Sequence, residues 1–253
     1  MSEPLLPPTP APVTPETPGG FFQNLIDVYF SPREAFTRIV RSPGWILPAI
    51  ALLLVSAAST GVWMAKVDAR EFTQRQMEEF GGKRWEQAPA DAKAQGIEAQ
   101  VRFMPVTRWA RVALGTPILL VVVGGVLLFV FRFFFATEVT FKQSLAIVAW
   151  SLLAIDLLTS PLRLLVMWLK EDWNIEPQLA LQASPAALLD PSAPKWQWAL
   201  LGIPDVFSLW LVFLLATGFA VASRRATSSA IWGVGIPWLV LALGGVAMAA
   251  AFM

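Results

Sequence analysis

At 253 residues, 56% of them hydrophobic, the chain is too apolar for a soluble domain of its size, and its positive mean hydropathy places it in the membrane class. A formal net charge of +1 excludes nucleic acid as an expected partner. Cysteine and histidine are both absent, which excludes thiol nucleophiles, Ser–His dyads, His-ligated zinc or haem, disulfides and iron–sulfur clusters. No metal and no cofactor is therefore expected.

The first 20 residues carry prolines at 4, 7, 8, 10, 12, 15 and 18 and end in Gly19-Gly20. This composition predicts a disordered tail, and the missing basic and apolar regions argue against a cleaved signal peptide. From Phe21 the pattern changes. Phe22, Leu25, Ile26, Tyr29 and Phe30 recur at helical spacing, and Ser31-Pro32-Arg33-Glu34 predicts a fresh helix start with a capping box. The second of these helices sets Phe36, Ile39 and Val40 against Arg33, Arg38 and Arg41. Residues 21–42 are thus expected as amphipathic helices flat on a membrane surface, with the three arginines as anchors.

Ser42-Pro43 opens a membrane domain over 43–253 with five spans, near 44–65, 110–133, 144–169, 201–223 and 230–252. Each is long enough to cross about 30 Å of hydrocarbon at about 1.5 Å per residue. The fold class is all-α, a polytopic helical bundle. Between the first two spans, residues 66–108 form a charged extramembrane excursion, divided by Gly81-Gly82 and Pro89 into two expected helices. Arg132, Lys142, Arg224 and Arg225 gather on the loops after spans two and four, which favours a cytoplasmic N-terminus and a C-terminus on the opposite side.

Several motifs lie in a telling order: Ser31-Pro32-Arg33-Glu34-Ala35-Phe36 before span one, Phe141-Lys142-Gln143 opening span three, and Asp205-Val206-Phe207-Ser208-Leu209-Trp210 followed by Gly218 in span four. Over about residues 22–250 this layout resembles the Yip1-domain family of integral membrane proteins. Asp27-Val28-Tyr29 with Pro32 is a loose echo of the Asp-Leu-Tyr-Gly-Pro motif of eukaryotic members; the Gly-Pro pair is missing. The resemblance implies a helical bundle with a cytoplasmic N-terminus and no enzymatic activity. Eukaryotic relatives are associated with vesicle trafficking and small GTPases, whereas this chain is more similar to the prokaryotic branch, which implies a bacterial inner membrane.

Span three carries Asp156 and Arg163, seven residues or nearly two turns apart and so on one helical face. With Asp205 near the start of span four they form a candidate buried polar face. Similar depths suggest a pair between Arg163 and Asp205; the competing reading makes Asp205 a first-turn acid at its helix N-terminus. Two functions compete. One is a non-enzymatic membrane organiser or adaptor, with the bilayer, proteins recruited through the tail and surface helices, and further copies of the chain as partners. The other is a transporter or lipid-handling protein using the face of Asp156, Arg163 and Asp205, which needs a cavity or groove reaching those residues. An intramembrane aspartyl hydrolase built on Asp156 and Asp205 is disfavoured, because their depths differ by about two turns.

Overall fold

The computed structural model describes residues 19–190 and 193–251, so residues 1–18 of the proline-rich stretch lie outside it. All regular elements among the described residues are helical, and five helices are long and apolar enough to cross a membrane. Helix α8 (Phe141–Leu169) is the axis of the bundle. It begins with a capping box, in which the Thr140 hydroxyl accepts from the Gln143 amide and the Gln143 side chain accepts from the Thr140 amide. Small residues at Ser144, Ala146, Ala149, Ser151 and Ala154 let neighbouring backbones approach closely, and all are buried. The Ser144 hydroxyl donates to the Gly124 carbonyl at 2.6 Å, tying α8 to α7 (Thr116–Phe133). Around α8 stand α3 (Ile46–Met64), α7 and α11 (Val206–Ser223). Helix α12 (Thr227–Ala251) packs mainly on α11, reached through a turn in which Arg224 takes a left-handed φ of 53°. Leu54, Val121 and Leu241 typify the outward apolar side chains of α3, α7 and α12, the composition of a lipid-facing surface.

Helices α1 (Phe21–Phe30) and α2 (Pro32–Arg41) are folded into this bundle. Ala35, Phe36 and Ile39 are buried in the same core as Ile147 of α8 and Leu214 and Phe219 of α11. The Tyr29 hydroxyl donates to the Ala154 carbonyl at 2.6 Å, and the Gln143 amide group donates to the Val40 carbonyl at 3.2 Å. Those two anchor points are eleven residues, or about 16 Å, apart along α8. The apolar face of α2 therefore meets protein rather than lipid, which departs from the expected surface helix. Only α1 keeps an outward apolar stripe, Phe22, Ile26 and Phe30, suited to the bilayer. Of the three expected anchors, Arg33 and Arg41 are exposed, while Arg38 turns inward. It donates to the Asp27 carboxylate and to Asn24 Oδ1, clasping α2 to α1. The capping box expected at Ser31 is not formed, since the Ser31 side chain makes no cap hydrogen bond.

Span boundaries shift little except at span four. There the stretch from residue 201 is split into α10 (Lys195–Gly202) and α11, with Asp205 opening the latter. The charged excursion forms α4 (Ala69–Phe80), the short α5 (Gly82–Glu86) and α6 (Ala90–Ala110). Helix α6 runs on through a π-helical turn, Arg111–Gly115, into α7. Pro117 cannot donate the bond that Ala113 would receive in an α-helix, so the backbone widens directly before it.

Candidate functional site

The α4–α6 hairpin caps one end of the bundle through a group of polar contacts with the loop after α8. The Arg108 guanidinium lies 4.7 Å from the Trp63 ring centroid and 5.3 Å from that of Phe72, and donates through both terminal nitrogens to Glu176 at 2.7 Å each. The Trp63 indole in turn donates to the Trp173 carbonyl at 3.0 Å. Farther out, Arg75 donates to both Asp172 oxygens and to Glu71, and Asn174 donates to Glu71 and accepts from the Asp68 amide. The Asp172 hydrogen bond is the largest effect holding the Arg75 pKa above its ordinary value. Trp63 and Trp173 thus serve this clasp, whereas Trp109, Trp168 and Trp196 are exposed as expected of an interfacial belt.

Beneath the clasp lies a cavity of about 180 Å³ between α3, α8 and the π-helical turn. Asp156 and Arg163 both line it, together with Ser56, Arg108, Arg111 and Glu176. On α8 the lining runs from Asp156 through Ser160 to Arg163, seven residues or about 10 Å along the helix. The Asp156 carboxylate accepts from the Ser56 and Ser160 hydroxyls, 2.8 Å each. Ser160 therefore bonds to a side chain, and the buried Thr159 hydroxyl has no hydrogen-bond partner among the described residues. Among the described residues Arg163 enters no ion pair, and its buried Nε finds no acceptor.

Asp205 is elsewhere. It is the N-cap of α11, its Oδ1 accepting from the Phe207 amide at 3.0 Å and the Ser208 amide at 3.1 Å. It does not line the cavity with Asp156 and Arg163, and the pair expected between Arg163 and Asp205 is not formed. Similar depth cannot compete with two backbone N–H groups already in place. Asp205→Ala is expected to cost about 1 kcal/mol through the lost cap, and Asp205→Asn far less. Combined with Arg163→Gln, the losses should add to within about 0.5 kcal/mol in detergent unfolding, since the two sites do not touch.

Sequence reasoning missed Arg108, Arg111 and Glu176, which fall outside or at the edge of the spans. It also passed over Ser56, Ser59 and Thr60, whose three- and four-residue spacing marks one polar face on an otherwise apolar helix. No group of three or more carboxylates able to hold a metal occurs among the described residues.

Five apolar spans, one of them the buried axis, with a polar cavity under a charged cap, define a polytopic helical membrane protein. The chain belongs to the Yip1-domain family: the family model described as Yip1 domain matches residues 26–248. No curated protein and no solved structure matches it.

Proposed function

We propose that the protein is a non-catalytic membrane organiser or adaptor that recruits proteins through its proline-rich N-terminal segment. The observation that carries this reading is where that segment leaves the bundle. Gly19 is held by the Asn24 side chain, which donates to its carbonyl at 3.1 Å, and Asn24 is held by Arg38 near the end of α2. At that end of the bundle α2 closes with Arg41, α7 with Arg132, α8 opens with Lys142, and α11 is followed by Arg224 and Arg225. Such a basic face favours the cytoplasm. Gly19, from which that segment continues, lies at this basic face, which supports recruitment on the cytoplasmic side, and the family's link to membrane trafficking points the same way.

The test is deletion of residues 2–18. Crosslinking in native membranes should lose specific partners while the unfolding temperature of the solubilised protein stays the same; an unchanged set of partners would refute the adaptor reading. A deletion to residue 41 would not serve, because Ala35, Phe36 and Ile39 belong to the bundle core. A second reading, transport or lipid handling, is favoured by the cavity at Asp156 and Arg163.

A further inference from the structure

Among the described residues, Arg163 is the cation of the cavity wall that enters no ion pair. Asp156 is held by two hydroxyls, and Glu176 takes the bidentate Arg108 on both oxygens, with Gln76 at 3.4 Å and Arg111 at 3.6 Å. Among the charges lining the cavity, three arginines face two carboxylates, so one positive charge is left over. A guanidinium with a buried, unused donor inside a membrane bundle is costly unless an anion or water meets it. The remaining wall is rich in hydroxyls, Ser59, Thr60 and Thr116 among them. Guanidinium and hydroxyl donors converging on one space suit an oxyanion with several acceptor oxygens.

A second cavity, of about 620 Å³, lies on the other side of the Arg108–Glu176 pair and is lined by Gln76, Gln100 and Thr107. The two cavities share Arg108, Arg111, Glu176 and Gln178. The Arg111 side chain is 66% exposed, which puts a solvent-facing cation where the outer cavity meets the inner one. An anion drawn to Arg111 is thereby led toward Arg163, with the Arg108–Glu176 pair between the two spaces.

We propose that the inner cavity binds a phosphate or phosphate-ester oxyanion, with Arg163 as its principal ligand and Arg111 as the cation at its mouth. Free phosphate and the headgroup of an acidic phospholipid present the same chemistry to these donors. The proposal deepens the lipid-handling or transport reading, and its test measures binding apart from movement. Retained binding with no phosphate or lipid movement in liposomes would remove that reading and leave the site.

The experiment uses the full chain purified in a phosphate-free maltoside detergent. Native mass spectrometry and thermal unfolding follow inorganic phosphate in one arm and phosphatidic acid in another, with diacylglycerol as the headless control. One phosphate-bearing species is expected per chain, raising the unfolding temperature, with diacylglycerol inert. Binding of inorganic phosphate identifies a small-anion site; binding of phosphatidic acid alone identifies a headgroup site. Arg163→Gln should weaken binding at least tenfold, and Arg163→Lys less, because the charge stays while the planar fork is lost. Should Arg163→Gln fail to fold, Ser59→Leu leaves the arginine in place and fills the cavity, and should weaken binding as strongly. Failure of both phosphate species to bind the wild type, equal binding of diacylglycerol, or undiminished binding in the variants overturns the proposal.

Discussion

Gly218→Val is expected to lower the stability of the solubilised protein by about 3 kcal/mol, the upper part of the usual cost of overpacking a core. A Cβ at position 218 would stand 2.5 Å from Ile147 Cγ2 and 3.1 Å from Phe36 Cδ1. Both neighbours are fully buried and come from different helices, so neither can retreat into open space. The position is helical with no left-handed φ, so backbone strain plays no part and the volume cost outweighs a gain in helix propensity. Gly218→Ala should lose less, and combining it with Ile147→Ala should cost less than the two losses added together. Gly125→Ala and Gly235→Ala are the controls. Nothing lies within 4 Å of a Cβ at either, so the gain in helix propensity, up to about 1 kcal/mol, should appear unopposed. A Gly218→Val protein as stable as the wild type would mean that α2 does not pack between α8 and α11.

That outcome bears on what the sequence could and could not reveal. Hydropathy and length were enough for five spans, because a span must bury about 20 residues in hydrocarbon whatever it packs against. The apolar stripe of α2 was equally visible, but a stripe has the same period whether lipid or protein covers it. The covering partner is revealed by pairs far apart in the chain, Phe36 with Gly218, Tyr29 with Ala154 and Val40 with Gln143. Each of these pairs includes a residue of the family-like motifs or of the Asp27-Val28-Tyr29 echo. Asp27 clasps Arg38 within the same hairpin. These motifs therefore read as instructions for seating α1 and α2 on the bundle. At the opposite end, helical spacing sets Asp156 and Arg163 on one face by a local rule of seven residues, and both line the cavity. Pairing Arg163 with Asp205 relied on depth, which leaves rotation about the helix axis undetermined, and the local N-cap took the acid. Glu176 lies in a loop with no periodicity to mark it, so its partner Arg108, 68 residues earlier, was out of reach.

Glu176→Ala should open the capped end of the bundle. Its carboxylate and the Arg108 guanidinium retain only 14% and 15% of their side-chain exposure, and Arg108 lies against the Trp63 and Phe72 rings. Removing the acid leaves that cation without a carboxylate, while the same change frees Gln76 and Arg111. Breaking a buried pair from one side costs about 3–5 kcal/mol, and the residual exposure of this one argues for about 3. The loss should be local, because the clasp joins α4 and α6 to the loop after α8 and not to the core around Phe36. The absence of cysteine makes this measurable. Thr73→Cys, at a site 1% exposed on α4, places a single thiol beneath the cap. Its maleimide labelling should be slow in the parent protein and about a hundredfold faster with Glu176→Ala, since each 1.4 kcal/mol is worth about tenfold in the open population. Replacing both partners, Arg108→Met with Glu176→Leu, should restore slow labelling, because an apolar pair needs no neutralisation. Fast labelling in the double variant would show that the two side chains hold the cap by specific hydrogen bonds, and slow labelling in Glu176→Ala alone would show that the pair does not hold it at all.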